Sequence, residues 1–128
     1  MFKEERLTKD IIGLAMKVHR ELGPGFKENI YHKAMLNILS ENKHAIQTEK
    51  SFKVYLNKKE IGSFRIDIMV DSKVIIEVKA LGGKMPQIFQ SQLVSYLKAS
   101  GLEVGLLLNF GNPSLEFKRI VHYKNNKM

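Results

Sequence analysis

Cysteine is absent from the 128-residue chain, which excludes a disulfide framework and thiolate-bound zinc alike. The four histidines are scattered without metal-ligand spacing, so histidine-built zinc chemistry is not expected either. No stretch approaches the roughly 20 apolar residues that span a bilayer, and the opening MFKEERLTKD has no signal-peptide apolar core. The expectation is a cytoplasmic protein without membrane contact. Internal repeats, low-complexity tracts and any linker long enough to separate domains are also missing. With 44% apolar residues to fill one core, a single domain over residues 1–128 is expected. Acidic residues are outnumbered, 13 against 21 lysines and arginines, for a formal charge of +8. Such a surface draws polyanions. Nucleic acid is the first partner to consider, although a merely soluble basic protein has the same balance. Nothing reads bases: helix-turn-helix, zinc-finger and aromatic single-strand platforms are all missing.

What is present orders itself as α-α-β-β-β-α-β-β. Thr8 can cap a helix over 8–22 carrying Ile11, Ala15, Val18 and Leu22 on one face, and Gly23-Pro24-Gly25 break the chain. A second helix over 27–42 directs Ile30, Ala34 and Leu36, Asn37, Ile38, Leu39 towards a core and leaves Glu28 in its first turn. Strands follow over 47–56, 60–70 and 74–80, a three-stranded meander with turns at Asn57-Lys58-Lys59 and Asp71-Ser72-Lys73. Pro86 suits the start of a helix over 86–100 closed by Gly101. Residues 104–109 form a nearly continuous apolar strand, buried on both faces. A last strand is expected over 117–123 and a frayed tail over 124–128. The fold class is α/β, with a mixed sheet flanked by helices.

The hairpin over 63–80 alternates sharply. Phe64, Ile66, Ile68 and Val70 share a face with Val74, Ile76 and Val78, while Arg65, Asp67, Glu77 and Lys79 take the other. A charged face of this kind is ordinarily solvated and laced by salt bridges. Register separates the two readings, because a slip of one residue flips every side chain. A three-residue turn over 71–73 sets Val70 against Val74 and Asp67 opposite Glu77, two like charges that invite a cation. A longer loop over 69–73 instead sets Arg65 against Glu77 as an ion pair. The shorter turn is the commoner, which favours the acidic pair. Two carboxylates on a rigid sheet suit a hard divalent ion such as magnesium, and Lys79 beside them could orient an attacking water and stabilise charge gathering on a phosphate.

Asp67 followed by Glu77-Val78-Lys79 on the next strand resembles the PD-(D/E)XK signature of restriction-endonuclease-like nucleases. Leu22-Gly23-Pro24 followed by Gly25-Phe26-Lys27-Glu28-Asn29-Ile30-Tyr31 resembles the pattern for which the GxxExxY proteins, a branch of that superfamily, are named. The resemblance runs over about 11–121 and includes Ile75-Ile76-Glu77-Val78-Lys79-Ala80 and Ser91-Gln92-Leu93-Val94-Ser95-Tyr96-Leu97. It implies that Glu28, Asp67 and Glu77 serve a magnesium or manganese ion and that Lys79 assists the nucleophile. Gln92 and Tyr96 match the Q-x-x-x-Y element of exonuclease-like branches. The proline of the signature's name is Ile66 here.

The expected activity is metal-dependent hydrolysis of nucleic acid, DNA ahead of RNA, possible as a homo-oligomer or with a protein partner. The rivals are a non-catalytic nucleic-acid-binding module and an accessory subunit of the same fold. Simpler roles stand beside the implied ones. Glu28 could only complement the helix dipole. Tyr96 could simply pack with its hydroxyl satisfied, and Tyr31 is structural at its helical spacing. His19 is assigned no role. Gly82-Gly83-Lys84 could admit a phosphate backbone or just turn the chain, and the lysines at 50, 53, 58 and 59 either line a basic edge or are solvated.

Overall fold

The computed structural model describes residues 3–124. Its elements are α1 (Glu5–Leu22), α2 (Glu28–Glu41), β1 (Ile46–Thr48), β2 (Ser51–Leu56), β3 (Lys59–Arg65), β4 (Ile68–Val70), β5 (Val74–Lys79), α3 (Ile88–Ser100), β6 (Val104–Asn109) and β7 (Glu116–Val121). Five strands form the main sheet in the order β1-β4-β5-β6-β7, and β2 and β3 form a separate pair. Only β5 and β6 run parallel, joined by α3. The other neighbours are antiparallel. The mixed sheet with helices on its faces is the architecture expected.

Burial follows from the runs Val74-Ile75-Ile76 and Val104 to Leu108, which are apolar on both faces because both faces are covered. On one side α1 and α2 press Ile11, Ala15, Tyr31, Met35 and Leu39 onto Ile68, Val70, Ile76, Val78, Leu106 and Leu108. On the other, α3 presses Leu93 and Leu97 onto Met69, Ile75 and Leu107. Gly105 lets α3 sit close, since a Cβ there would meet Leu93 at 2.8 Å.

Three expectations are corrected. Thr8 lies inside α1 rather than capping it, fully buried, its hydroxyl donating to the Glu5 carbonyl and accepting from Arg119 Nε. The buried face of α2 is Tyr31, Met35 and Leu39, while Ile30 is exposed. The long strands of the meander each break: Glu49 adopts a left-handed φ of 54°, and the pair bends there, with Glu49 N–H donating to the Asp67 carbonyl and Ile66 N–H to that of Lys50. The bend shifts the alternation, so Phe64 and Ile66 join the α3 layer instead of packing with Ile68 and Val70. At the carboxyl end β7 stops at Val121, and Lys124 N–H is held by Glu103 Oε2 at 2.7 Å. The rest of the expected frayed tail, 125–128, lies outside the described residues.

Candidate active site

The turn over 71–73 is the short one. Val70 pairs with Val74, Met69 with Ile75 and Ile68 with Ile76, and continuing that register brings Asp67 opposite Glu77. Asp67 follows the bend, so it has left the regular ladder, and the side chains replace the missing bonds. Asp67 N–H donates to Glu77 Oε2 at 3.1 Å, and Val78 N–H donates to Asp67 Oδ2 at 2.8 Å. Each carboxylate is thereby locked by the other's strand. Glu77 is only 5% exposed. Burial, reinforced by the Asp67 charge, pushes its carboxyl up to about 7.

Glu28 opens α2, in the other layer, yet it lies in the same field. Burial raises its carboxyl, the Lys79 ammonium opposes this and Asp67 adds to it. Lys79 ends β5 with its Nζ 4.4 Å above the Phe89 ring of α3, a cation held between an aromatic face and the acids. Tyr96 is half-buried on α3, and burial together with the charges of Glu77 and Asp67 raises its phenol. Gln92, one turn earlier, is exposed, and its side chain makes no hydrogen bond among the described residues. The structure therefore gathers Asp67, Glu77, Lys79, Glu28 and Tyr96, and leaves Gln92 at the margin.

The entry of Glu28 is set by Tyr31. Its hydroxyl donates to the Gly23 carbonyl and accepts from Phe26 N–H at 3.1 Å, and its ring stacks on Phe110 with centroids 4.8 Å apart. One side chain thus pins the Gly23-Pro24-Gly25 break, where Gly25 has a φ of 114° that glycine alone adopts readily. The spacing from Gly25 through Glu28 to Tyr31 is a device for aiming the acid.

Sequence reasoning missed His32 and Thr48. Thr48 Oγ1 donates to the Asp67 carbonyl at 3.1 Å, and His32 Nε2 lies 3.1 Å from that hydroxyl oxygen. A hydroxyl has one hydrogen and a carbonyl only accepts, so with the Thr48 hydrogen on the Asp67 carbonyl, His32 Nε2 is the donor to Thr48. His32 follows Glu28 by one helical turn, a spacing legible in the sequence; Thr48, sixteen residues further on, gave no signal. The loop after Lys79 is also held by side chains. Asn109 bonds both the N–H and the carbonyl of Leu81, Asn112 does the same at Gly83, and Glu116 accepts from Met85 N–H. Gly82 and Gly83 therefore belong to a clamped turn. His19 is satisfied by the Asn112 carbonyl at 2.8 Å.

Asp67 Oδ1 and Glu77 Oε1, the second oxygen of each carboxylate, accept no hydrogen bond among the described residues. Two such oxygens on mutually repelling acids fit a hard cation that keeps water in its shell. No group of three or more His, Asp or Glu among the described residues is close enough to form a protein cage, so Glu28 shares the field of the pair without completing one.

No helix among the described residues is long and apolar enough to cross a membrane. Among curated proteins none matches the chain. The solved structure of SSO0001 is similar in fold, with a TM-score of 0.58 at 20% identity over 76% of this chain and 50% of that one; this chain spans about half the length of that protein. The family model of the PD-(D/E)XK nuclease superfamily matches residues 5–120. Matched over nearly its whole length, the chain belongs to the PD-(D/E)XK nuclease superfamily.

Proposed function

We propose that the chain is a divalent-metal-dependent nuclease of the GxxExxY branch, one domain over residues 1–128, hydrolysing phosphodiester bonds in nucleic acid, with DNA ahead of RNA as the candidate substrate. The observation that carries this reading is the interlock of Asp67 and Glu77, two carboxylates each with one oxygen left free, beside the Lys79 ammonium. Asp67 and Glu77 would hold magnesium or manganese, which when bound supplies neutralising charge to the phosphate and lowers the pKa of the attacking water. Lys79 orients that water and stabilises the charge that builds on the phosphoryl oxygens. Glu28, with its raised carboxyl, is a stronger base than a solvated glutamate and takes the water's proton. Tyr96, kept protonated by burial and by the neighbouring acids, donates a hydrogen bond to a phosphate oxygen, and Gln92 approaches the substrate from the same helix face.

The test is incubation with single- and double-stranded DNA and RNA in magnesium, manganese or EDTA, alongside Asp67→Ala and Lys79→Ala. Cleavage of DNA that needs metal and is lost in both variants is the expected result. No cleavage of any substrate by the wild type, or equal cleavage by the variants, would sink the catalytic reading.

A further inference from the structure

The β2–β3 hairpin stands apart from the main sheet and contributes no residue to the catalytic set. Its root is beside the acids: Arg65, the last residue of β3, precedes Asp67 by two positions, and Phe64 stacks on Tyr96 with centroids 4.3 Å apart and planes 4° off parallel. From that root β3 extends seven residues, about 20 Å at roughly 3.3 Å per residue, the axial length of about six base pairs at 3.4 Å each.

The residues along this arm fit a polyanion. Lys50, Lys53, Lys58, Lys59 and Arg65 face only two carboxylates, and both are engaged, Glu60 by Lys53 at 3.5 Å and Glu49 by Arg65 at 3.3 Å. Lys50, Lys58 and Lys59 have no carboxylate partner among the described residues, and Lys58 and Lys59 stand at the tip. The turn itself is shaped against its own comfort. Asn57 and Lys58 have φ of 51° and 66°, a two-residue turn of the kind that favours glycine at its second position; a lysine there carries a conformational cost. Tyr55, Leu56 and Ile61 at the same tip are 58%, 60% and 60% exposed, and Ile61 is the extra residue where the register shifts between Val54 and Tyr55. Apolar and aromatic surface interleaved with unpaired cations suits a sugar-phosphate backbone with its bases.

We infer that this hairpin is an arm that grips the nucleic-acid backbone several nucleotides from the bond being cut, an inference that rests on the nuclease reading for its substrate. Affinity then depends on the tip, while the chemical step does not.

The experiment compares wild type with the double variant Lys58→Gly, which the positive φ accommodates, and Lys59→Gln. Binding of a 30-base-pair duplex and of a single strand is measured in EDTA over a series of salt concentrations. Hydrolysis of the small phosphodiester bis(p-nitrophenyl) phosphate, too short to reach the tip, is measured with manganese. The variant is expected to bind about tenfold more weakly near 0.15 M salt, with a salt slope reduced by almost two, at about 0.9 per lost phosphate contact, and to hydrolyse the small substrate at the wild-type rate. An unchanged affinity and slope, as for a hairpin that docks protein, would overturn the inference. So would a wild type that binds neither nucleic acid, or an equal loss on the small substrate. Because binding is read without metal, a wild type that binds but never cleaves would refute the nuclease reading and leave the arm standing.

Discussion

Replacing Glu77 by Gln should stabilise the metal-free protein at alkaline pH while abolishing cleavage. The carboxyl rises from an ordinary 4.5 to about 7 on folding, so native Glu77 binds a proton more tightly than unfolded Glu77 does. Stability therefore falls as pH climbs from about 4.5 through 7, and above that the ionised side chain bears the whole cost. The gap of about 2.5 pH units, at roughly 1.4 kcal/mol each, makes that cost about 3 kcal/mol. Gln avoids it. Its amide oxygen can still accept from Asp67 N–H, which now donates to Glu77 Oε2, and its amide hydrogens can face the Asp67 carboxylate.

Denaturant unfolding in EDTA at pH near 5, 6, 7 and 8 reads this directly. The advantage of the Gln variant should be about 1 kcal/mol or less at pH 5 and grow to about 3 kcal/mol at pH 8, or roughly 10 °C in Tm for a chain of this size. Magnesium should then narrow the difference by stabilising the wild type alone. A variant that is less stable at pH 8, or an advantage that does not vary with pH, would refute the reasoning.

The remaining predictions concern the surroundings of that pair. Tyr31→Phe leaves the Gly23 carbonyl and Phe26 N–H without their partner, so it should cost about 1–2 kcal/mol in unfolding experiments and lower cleavage by loosening Glu28. Thr48→Val removes the tie to the Asp67 carbonyl and should reduce both stability and kcat, whereas His32→Gln, which keeps a donor at the reach of Nε2, should hold stability near wild type. His44 is shielded from solvent, which lowers its pKa, but its hydrogen bonds to Asp71 and Asp10 prevail and raise it above 6.5. Its contribution is thus full below about 6.5 and lost as pH rises through the folded value, and His44→Gln should flatten that alkaline decline of the unfolding free energy.

The fold was legible wherever pattern and burial agree. The runs over 74–79 and 104–109 are apolar enough to demand cover on both faces, and the short turn after Val70 settled the register that brings Asp67 against Glu77. What the alternation could not show is the bend. Phe64, Ile66, Ile68 and Val70 keep perfect period two, and only the left-handed Glu49 on the neighbouring strand, with the separate packing of Phe64 on Tyr96, tells that the face changes between Ile66 and Ile68. On α2 Leu39 is buried as the pattern expects and Ala34, Leu36 and Ile38 pack at the edge of the core, but its first turn buries Tyr31 in place of Ile30, for a related reason: Tyr31 is polar at its tip, and its place in the core depends on a hydroxyl that finds partners in a preceding turn. The grouping of Asp67, Glu77 and Lys79 followed from register, but the approach of Glu28 from another layer depends on tertiary packing and entered only through family resemblance.

The bend also explains why the acids stand where they do. A continuous strand over 60–70 would spend the N–H of Asp67 on a ladder bond and direct its carboxylate onto a flat sheet. Because the chain turns out at Ile66, that N–H is free to be taken by Glu77, and Asp67 can reach back to Val78 N–H on the neighbouring strand. Two buried donors are satisfied by two carboxylates that would otherwise repel each other apart. The same interruption starts the β2–β3 hairpin away from the main sheet. The structural compensation for a broken strand and the assembly of an acidic pair are therefore one event, and a substitution that restored regular pairing at Glu49 would be expected to straighten the arm and dissolve the pair together.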